Sequence, residues 1–369
     1  MSATVLHVAD VEQLYAAVND AANEGAAITL APGRYVLSAT NAAGVGRPNG
    51  GRLELQRDMS LYGVTDERSA VVIDASSLPT SSFNVPFGRT APVRIGRGSN
   101  TIEWLTVLGN PEAAAGIATE LPGTPSTRVR VAHVVSGGSS RGVDVRNVGA
   151  ASGAGRRIDA EIVDNEFFGP SRVVGLSEGI RLVNFVGANG AAIVASLSGN
   201  RTHGFQLGCI VANNRSSNAV VEVRSSGDRF FANELGCQIA GGLSQALTGV
   251  ANSSSTIFEA RGSQFTDNTA AFGGLGSGGI RVDGGLSVTQ ANVTSSNRVR
   301  VALWGSKVAD NLGVNFEAFG ARQEARSGLS GTNNQVTIEL HGVSKQIDVA
   351  TTASVPTDPA GSNTVSVIR

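Results

Sequence analysis

The sequence is poor in the residues that build long helices. Aromatic residues make up only 5% of the 369 residues and charged residues 16%, whereas glycine occurs 47 times. Long amphipathic helices need regular runs of charged and large apolar side chains, so this composition favours many short strands joined by tight turns. The formal net charge of -1 argues against an overall attraction to nucleic acid or anionic membranes.

Lysine and cysteine are also scarce. Lys307 and Lys345 are the only lysines among 29 basic residues, and the others are arginine. The planar guanidinium of arginine suits carboxylates and phosphates, so the bias fits anion recognition. A genome rich in G and C, which favours arginine codons, is the simpler explanation. Cys209 and Cys237 fall at repeat positions that differ by several residues, so we expect two free thiols.

Long apolar runs are absent as well. No stretch reaches the roughly 18 uninterrupted apolar residues of a membrane span. The N-terminal residues have no basic region followed by an apolar run, so the chain shows no signal peptide. We expect neither membrane nor nucleic-acid partners. The compartment stays open between the cytoplasm and export with a removed signal, and the oligomeric state stays open too.

A short phrase recurs five times between residues 158 and 320. It begins with glycine or aspartate and continues with a small polar, a variable and usually an apolar residue. Successive copies are 35, 28, 35 and 43 residues apart. The polar positions are Asn165, Asn200, Asp228, Ser263 and Ser306. Such self-similarity predicts a solenoid, in which these polar side chains hold a bend of each coil.

The N-terminal region predicts a cap for this solenoid. Apolar residues from Val11 to Asn23 recur at helical intervals, with Asp10 as the N-cap. A strand, a Pro-Gly turn and a second strand follow between Ala27 and Leu37. A helix laid across the first coil would cover an apolar end that otherwise pairs with other chains.

Three segments resemble a known group of proteins. The segments ITLAPGRYVL after the helix, MSLYGV from Met59 and NTIEWLTVLGN from Asn100 look like the opening coils of right-handed parallel β-helix proteins of the pectin-lyase-like superfamily. The resemblance implies an all-β fold, a right-handed parallel β-helix with a short N-terminal capping helix. We expect a single domain over 1–369, with 1–37 as cap and first coil, 38–320 as coils with inserted loops, and 321–369 as C-terminal strands and tail.

Stacking of coils turns repeat positions into columns on the surface, about 4.8 Å apart from coil to coil. Alternation along each strand predicts a first outward column of Glu166, Arg201, Arg229, Gln264 and Lys307. Aligning a second phrase of glycine, apolar, polar and apolar residues predicts a second outward column of Asp144, Arg181, Gln206, Gln238, Arg281 and Asn315. Together they would form a polar face suited to an extended polymer, although outward residues of any soluble coil are polar.

The resemblance implies a carbohydrate-related activity. In polysaccharide lyases of this superfamily, an arginine or lysine removes the proton beside a uronate carboxyl, often with calcium. We therefore predict catalytic roles for Arg201, Arg229, Glu166 and Asp164, and substrate contacts for Arg181, Asp144, Gln206, Gln238, Lys307 and His203. An acidic polysaccharide would be the partner. The sequence contains no acidic cluster on adjacent coils that would hold calcium, so we predict no metal site and no cofactor, while dependence on calcium stays open.

Two functions stay open at this point. One is lyase-type cleavage of an acidic polysaccharide at the arginine-bearing face, and the other is a non-catalytic glycan-binding, protein-binding or structural β-helix. His203-Gly204 matches only one dipeptide of the glycoside hydrolases, whose carboxylate sets are not assembled here. The loops 38–52, 76–92 and 273–279 have no assigned role. An enzyme is expected to show a cleft with converging Arg, Asp and Glu between the long loops, whereas a binding module is expected to show a flat face.

Overall fold

The computed structural model describes residues 4–85, 88–119, 127–149, 156–171, 175–244, 249–271, 277–287, 292–323, 331–343, 349–355 and 362–369. Three long parallel sheets run along these residues, and the coils in the middle of the chain contribute one strand to each sheet in turn. The coil that begins at Arg157–Val163, for example, continues through Glu166–Phe168 and Glu178–Phe185 before returning at Ala192–Ser198. This is the predicted right-handed parallel β-helix.

The three sheets differ in strand length and position. Sheet 1 contains Val5–Val8, Ala27–Leu30, Ser60–Gly63, Gly98–Glu103, Thr127–Ala132, Arg157–Val163, Ala192–Ser198, Val220–Ser226, Ser255–Arg261, Arg298–Trp304, Gln335–His341 and Thr364–Ile368. Sheet 2 contains Gly33–Val36, Val71–Asp74, Thr106–Leu108, Val135–Gly137, Glu166–Phe168, Arg201–His203, Arg229–Phe231, Gln264–Thr266 and Lys307–Ala309. Sheet 3 contains Leu53–Glu54, Val93–Arg94, Ile117–Ala118, Arg141–Val148, Glu178–Phe185, Leu207–Asn214, Leu235–Ser244, Ser277–Ser287, Val314–Gln323 and Val349–Val355.

Two short strand pairs lie outside these sheets. Gly249–Asn252 pairs in parallel with Asn292–Ser295, and Asn84–Val85 forms an antiparallel pair with Gly88–Arg89. No helix among the described residues is long and apolar enough to cross a membrane. The expectation of a single domain over the whole chain stays a prediction.

The N-terminal cap is confirmed with one change of boundary. The helix α1 spans Val11–Asn19, and a separate 3-10 turn covers Ala21–Asn23. The carboxylate of Asp10 accepts a hydrogen bond of 2.8 Å from the backbone amide of Gln13, as expected of an N-cap. Leu14 and Val18 are buried against the first coils. The helix therefore covers the N-terminal end of the core.

The two long insertions brace this cap. In loop 38–52, Arg47 stacks over the ring of Tyr15 at 4.1 Å, and the Tyr15 hydroxyl donates to the carbonyl of Gly51 at 2.6 Å. In loop 76–92, the hydroxyl of Ser82 donates to the carbonyl of Gly50 at 2.6 Å, and Phe83 is buried. Residues 86 and 87 lie outside the described residues. The described contacts of both loops are thus structural.

The turn from sheet 1 to sheet 2 repeats with the same geometry in successive coils. Its first residue has a positive φ, as at Asp164 with 49° and Gly199 with 68°. The second residue points inward, and the predicted ladder of Asn165, Asn200, Asp228, Ser263 and Ser306 is confirmed, with all five side chains buried. Asn165 Nδ2 donates to Asn200 Oδ1 at 2.9 Å, and Asn200 Nδ2 donates to Asp228 Oδ1 at 2.8 Å. Each coil corner is therefore hydrogen-bonded to the next one.

Inward columns of apolar residues fill the interior as predicted. Phe167, Thr202, Phe230, Phe265 and Val308 occupy one column of sheet 2. The rings of Phe230 and Phe265 stack with centroids 5.1 Å apart. Alternation along the strands of sheet 1 predicts two more inward columns, and all of their members are buried: Ile162, Leu197, Ala260 and Leu303, and Ala160, Ala195, Val223, Phe258 and Val301.

Burial disfavours the charged form of one carboxyl in the corner ladder. Asp228 is fully buried, and burial raises its pKa to about 6 despite hydrogen bonds from Ser225 and Asn200. Because the pKa is higher in the folded chain than in the unfolded one, the folded state binds more protons between about pH 4 and pH 6. The unfolding free energy must therefore fall by about 3 kcal/mol as the pH rises through that range. It stays at the lower level at higher pH.

We expect Asp228→Asn to stabilise the protein at pH 7 by about 1–3 kcal/mol. Asparagine is the residue that the two preceding coils place at this corner, at Asn165 and Asn200, and it carries no charge to desolvate. Chemical denaturation at several pH values should show the gain above about pH 6 and little gain below about pH 4. The exposed substitution Asp66→Asn serves as the control, and an equal gain for both variants at pH 7 would contradict the assignment.

Candidate functional site

The outer surface of sheet 2 carries the first predicted column. Glu166, Arg201, Arg229, Gln264 and Lys307 are consecutive register partners, which confirms the column residue by residue. Arg201, Arg229 and Lys307 are exposed. The Lys307 ammonium is 2.7 Å from the Asp310 carboxylate. We call this column, together with the neighbouring column described below, the sheet 2 face.

Arg201 and Arg229 are the cations of this face without an acidic partner. Among the described residues neither guanidinium forms an ion pair, and each lies near the ring of Phe231. Two carboxylates that could pair with these arginines already have other partners. Glu222 is 2.5 Å from Arg224, and Glu166 is 3.3 Å from His203. Arg201 and Arg229 therefore lie side by side with their charges open to solvent.

A second outward column of the sheet 2 face combines aromatic rings with these arginines. It contains Phe168, His203 and Phe231, all of them half-buried. The guanidinium carbons of Arg201 and Arg229 lie 5.8 and 5.2 Å from the centroid of the Phe231 ring. The His203 ring is 5.1 Å from the same ring and is tilted by 30°.

Sequence reasoning missed Phe168 and Phe231, although the sequence contained a signal. In EFF and RFF two phenylalanines follow each other within one strand. Because successive side chains of a strand point to opposite sides, one ring of each pair must point outward when the other belongs to the core. His203, which was predicted as a substrate contact, lies in this column.

Asp164, predicted as catalytic, lies beside the sheet 2 face and not on it. It is the left-handed residue of the corner between sheets 1 and 2, and its carboxylate is 2.9 Å from Nδ1 of His133. The His133 ring stacks on Trp104 with centroids 3.9 Å apart. The carboxylate thus already has a partner at the corner, and its predicted role in catalysis stays untested.

The second predicted outward column is wrong in two of its members. In sheet 3 the register partners are Asp144, Arg181, Ile210, Gln238, Arg281 and Glu317. Gln206 and Asn315 are therefore displaced from the column by four and two residues. Gln206 lies in the turn before sheet 3, where its side-chain oxygen accepts from the Ser177 amide at 3.0 Å. Its contact is between coils, and the predicted role in substrate binding has no support from this position.

The same column is also wrong in its predicted exposure. Asp144, Arg181, Gln238 and Arg281 point out of sheet 3, yet all four are buried. Gln238 donates from Nε2 to Asp283 Oδ2 at 3.1 Å, and Arg281 is 3.5 Å from Glu317. Sheets 2 and 3 therefore do not form the single continuous polar face that the sequence predicted.

A cluster of buried charges occupies the middle of sheet 3. We call it the sheet 3 cluster and define it as Arg141, Asp144, Arg146, Glu178 and Arg181. Asp144 is 3.1 Å from Arg146 and 3.7 Å from both Arg141 and Arg181. Glu178 forms ion pairs with Arg141 and, at 3.0 Å, with Arg181.

Burial and neighbouring charges act in opposite directions on this cluster. Burial raises the pKa of Asp144, whereas the guanidiniums of Arg146, Arg181 and Arg141 lower it. Together the three guanidiniums outweigh burial, so the carboxyl pKa lies below its ordinary value. Burial lowers the pKa of Arg181, while the carboxylates of Glu178 and Asp144 partly offset that shift. The cluster combines an ionised acid with a crowded, desolvated cation.

Metal ligands are not assembled in the described parts of the chain. No group of three or more His, Cys, Asp or Glu side chains there could hold a metal ion.

Cys209 and Cys237 are buried free thiols, but they are direct register partners in sheet 3, so the predicted offset between them was wrong. Of the glycine-rich segment 273–279, residues 273–276 lie outside the described residues, and Ser277 begins a strand.

Comparisons with known proteins were made at the level of sequence and of structure. No protein-family model and no curated protein matches the sequence. The structure is similar to the A-module of the Azotobacter vinelandii mannuronan C-5 epimerase AlgE6, with 17% identity, a TM-score of 0.46, and coverage of 96% of this chain and 93% of that one. The AlgE4 A-module from the same organism gives 16% identity, a TM-score of 0.42 and coverage of 98% and 100%.

A third similar structure is the Dettilon tailspike protein gp208. It has 10% identity and a TM-score of 0.35, with 96% of this chain and 64% of that chain covered. This chain is a right-handed parallel β-helix protein. Identities this low bear on the fold alone, and the sheets and register described above establish that fold directly.

We expect Asp144→Asn to destabilise the protein by about 3–5 kcal/mol at pH 7, because it leaves buried arginines without their shared carboxylate. The folded pKa of Asp144 is depressed, so the carboxylate's contribution to the unfolding free energy is complete above the unfolded value of about 3.9 and is lost as the pH falls further. The two proteins should therefore converge in stability below about pH 4.

The matched control is Asp159→Asn. Asp159 forms an ion pair with Arg157 at 2.6 Å, and both side chains are largely exposed. The control should cost less than about 1 kcal/mol in urea denaturation. Equal losses for the two variants would show that the sheet 3 cluster does not depend on Asp144.

Proposed function

We propose that this chain binds an acidic polysaccharide along the sheet 2 face, with Arg201 and Arg229 as the anion contacts. One observation carries the proposal. Two exposed arginines on adjacent coils, neither with an acidic partner in the part of the chain that the structure describes, flank the half-buried ring of Phe231. A planar guanidinium binds a carboxylate through two parallel hydrogen bonds, which makes arginine the suitable residue for an acidic sugar.

The repeat geometry supports a polymer as the ligand. Register partners of adjacent coils are about 4.8 Å apart, so the column offers the same kind of contact at regular intervals along the solenoid. Beyond Arg229 the column continues with Gln264 and Lys307, which both carry hydrogen-bond donors. A chain of sugar units laid parallel to the solenoid axis would meet them one after another.

The aromatic column supports a sugar in particular. A pyranose ring has apolar C–H surface as well as hydroxyl groups, and an aromatic side chain can pack against that surface while its neighbours make polar contacts. Phe168 and Phe231 each present part of a ring beside the first column. Arg201 and Arg229 are held near Phe231 by cation–π attraction, which limits their freedom before a ligand binds.

Binding is better supported than cleavage at this face. Abstraction of a proton by an arginine requires a guanidinium that is desolvated or crowded by other cations. Arg201 and Arg229 are exposed on short, regular strands, and Glu166 is engaged by His203. The predicted catalytic roles of Arg201, Arg229 and Glu166 therefore give way to binding roles in this proposal. The mannuronan epimerase modules have too little similarity to add an argument about the ligand.

The test is titration calorimetry with polygalacturonate at low salt. We expect the native protein to bind, and the double variant Arg201→Ala, Arg229→Ala to bind about 100-fold more weakly, because two charge-assisted contacts are lost. The matched control is Arg128→Ala, Arg298→Ala, which removes two exposed arginines of sheet 1 and the same net charge. Neutral dextran should not bind.

Two outcomes would overturn this assignment. If both double variants lose the same affinity, the attraction is a general charge effect and the sheet 2 face is not the site. If the native protein does not bind any of a panel of acidic polysaccharides, including alginate and a sulfated glycan, the sheet 2 face has no such ligand.

Lyase-type cleavage is the second candidate function, and one observation moves it from sheet 2 to sheet 3. Arg181 is buried, and burial lowers the pKa of its guanidinium, as a basic group that accepts a proton from carbon requires. Asp144 and Glu178 lie within ion-pair distance of it. Substrate would have to reach a cluster that is buried in the structure, which makes this the weaker candidate.

Ultraviolet absorbance of an unsaturated uronate product tests this candidate. If cleavage occurs at the sheet 3 cluster, we expect Arg181→Lys to lose at least about 100-fold in rate, whereas the Arg201→Ala, Arg229→Ala variant loses affinity but keeps its maximal rate. Thermal unfolding shows whether Arg181→Lys is folded. Absence of product from every acidic polysaccharide that binds the native protein would reject cleavage and leave binding intact.

A further inference from the structure

We infer that a cavity between helix α1 and the first coils is a second anion site, for a small molecule that carries a carboxylate, sulfate or phosphate group. The cavity measures about 350 Å³ and lies at the N-terminal end of sheet 3. Helix α1 contributes Val18 and Asn19, loop 38–52 contributes Asn49, and residues 54–57 and 94–97 form the remaining wall. We call it the cap cavity.

The charges around the cap cavity are unequal. Three arginines, Arg57, Arg94 and Arg97, line it together with a single carboxylate, that of Glu54. Glu54 is 3.0 Å from Arg94 and also 3.0 Å from Arg52, so two guanidiniums already share it. The residues that line the cavity therefore carry three positive charges and one negative charge.

Arg97 is the cation of the cap cavity that is open to a ligand. It is exposed, and among the described residues it forms no ion pair. Arg57 has only long contacts, at 3.4 Å to Asp58 and 3.8 Å to Glu24. Arg94 is 19% exposed and directs one nitrogen to Glu54. An oxyanion in the cavity would find one unpaired guanidinium and two others with weak or shared partners.

The C-terminal end of helix α1 points its carbonyl groups toward the same region, which by itself would favour a cation. The side chain of Gln56 removes much of this effect. Its Nε2 donates to the carbonyl of Val18 at 2.7 Å and to that of Asp20 at 2.7 Å. Two carbonyl groups at this end of the helix are therefore satisfied by a neutral amide.

The walls of the cap cavity are held in place before any ligand binds. A Cβ atom at Gly96 would lie 2.3 Å from the carbonyl oxygens of Leu55 and Gln56, so the two wall segments are in direct backbone contact. Loop 38–52 is anchored to helix α1 through Arg47 and Tyr15. A preformed site of this kind needs little reorganisation on binding.

The size of the cavity limits the ligand. A volume of about 350 Å³ lies at the lower end of the range for small-molecule sites and fits a molecule the size of a monosaccharide. The backbone and the stems of the arginines supply both polar and apolar contacts around the anion. The site differs from the sheet 2 face in sheet, in coil and in the residues used, so it does not depend on the function proposed above.

The test is equilibrium dialysis of the full chain at low ionic strength, where screening is weakest, with radiolabelled sulfate, phosphate or glucuronate. We expect one molecule of at least one of these probes to bind per chain. The three probes distinguish the chemical source of the oxyanion. Arg97→Ala should weaken binding about tenfold or more, because it removes a charge-assisted contact.

Arg128→Ala is the matched control, since it also removes an exposed arginine without an ion pair among the described residues. It should leave the affinity unchanged, and so should the Arg201→Ala, Arg229→Ala variant of the sheet 2 face. Three results would overturn the inference: none of the probes binds, Arg97→Ala binds as the native protein does, or Arg128→Ala weakens binding as much as Arg97→Ala.

Discussion

Parallel pairing of each coil with the next is the constraint on which the rest of this structure depends. The strands of sheets 1, 2 and 3 satisfy their backbone groups only through the neighbouring coils. A repeat position must therefore stack on its equivalent in the next coil, and any polar side chain that faces inward must find its partner in the same column. The ladder from Asn165 to Ser306 meets this requirement through side chains that bond to one another and to the backbone.

The same constraint explains where variation is tolerated. The turn between sheets 1 and 2 keeps two residues from Asp164–Asn165 to Gly305–Ser306, because its left-handed residue and its inward polar residue leave no room for insertion. The connection from sheet 2 to sheet 3 is free of that restriction and varies in length, being short at 204–206 and longer at 169–177 and at 37–52. The sheet 2 face thus has regular spacing along the solenoid, whereas the edge of sheet 3 does not.

Charged residues follow two physical regimes in this molecule. On sheet 2, exposed arginines lie beside an aromatic ring and have no acidic partner among the residues that the structure describes, so their charge can act on a ligand. In the sheet 3 cluster the arginines are buried, and burial is offset by Asp144 and Glu178 within ion-pair distance. A surface that binds an anion needs the first regime, because a carboxylate that is already present would compete with the ligand. The cap cavity combines features of both regimes. Two guanidiniums share its one glutamate, whereas Arg97 is exposed and forms no ion pair among the described residues.

The sequence by itself determined the β-helix, the capping helix from Val11, the corner ladder and the column that contains Arg201 and Arg229. The helix follows from its apolar periodicity and its N-cap Asp10. The ladder and the column depend on the two-residue corner, whose constant length keeps repeat positions in step. Only the tertiary structure decided that Arg181 stacks on Ile210 and not on Gln206, because glycines occur in both the variable turn and the strand after it, and either could begin the phrase. It also decided that Asp144 and Arg181 are buried, since an outward direction along a strand says nothing about what other parts of the fold cover that strand.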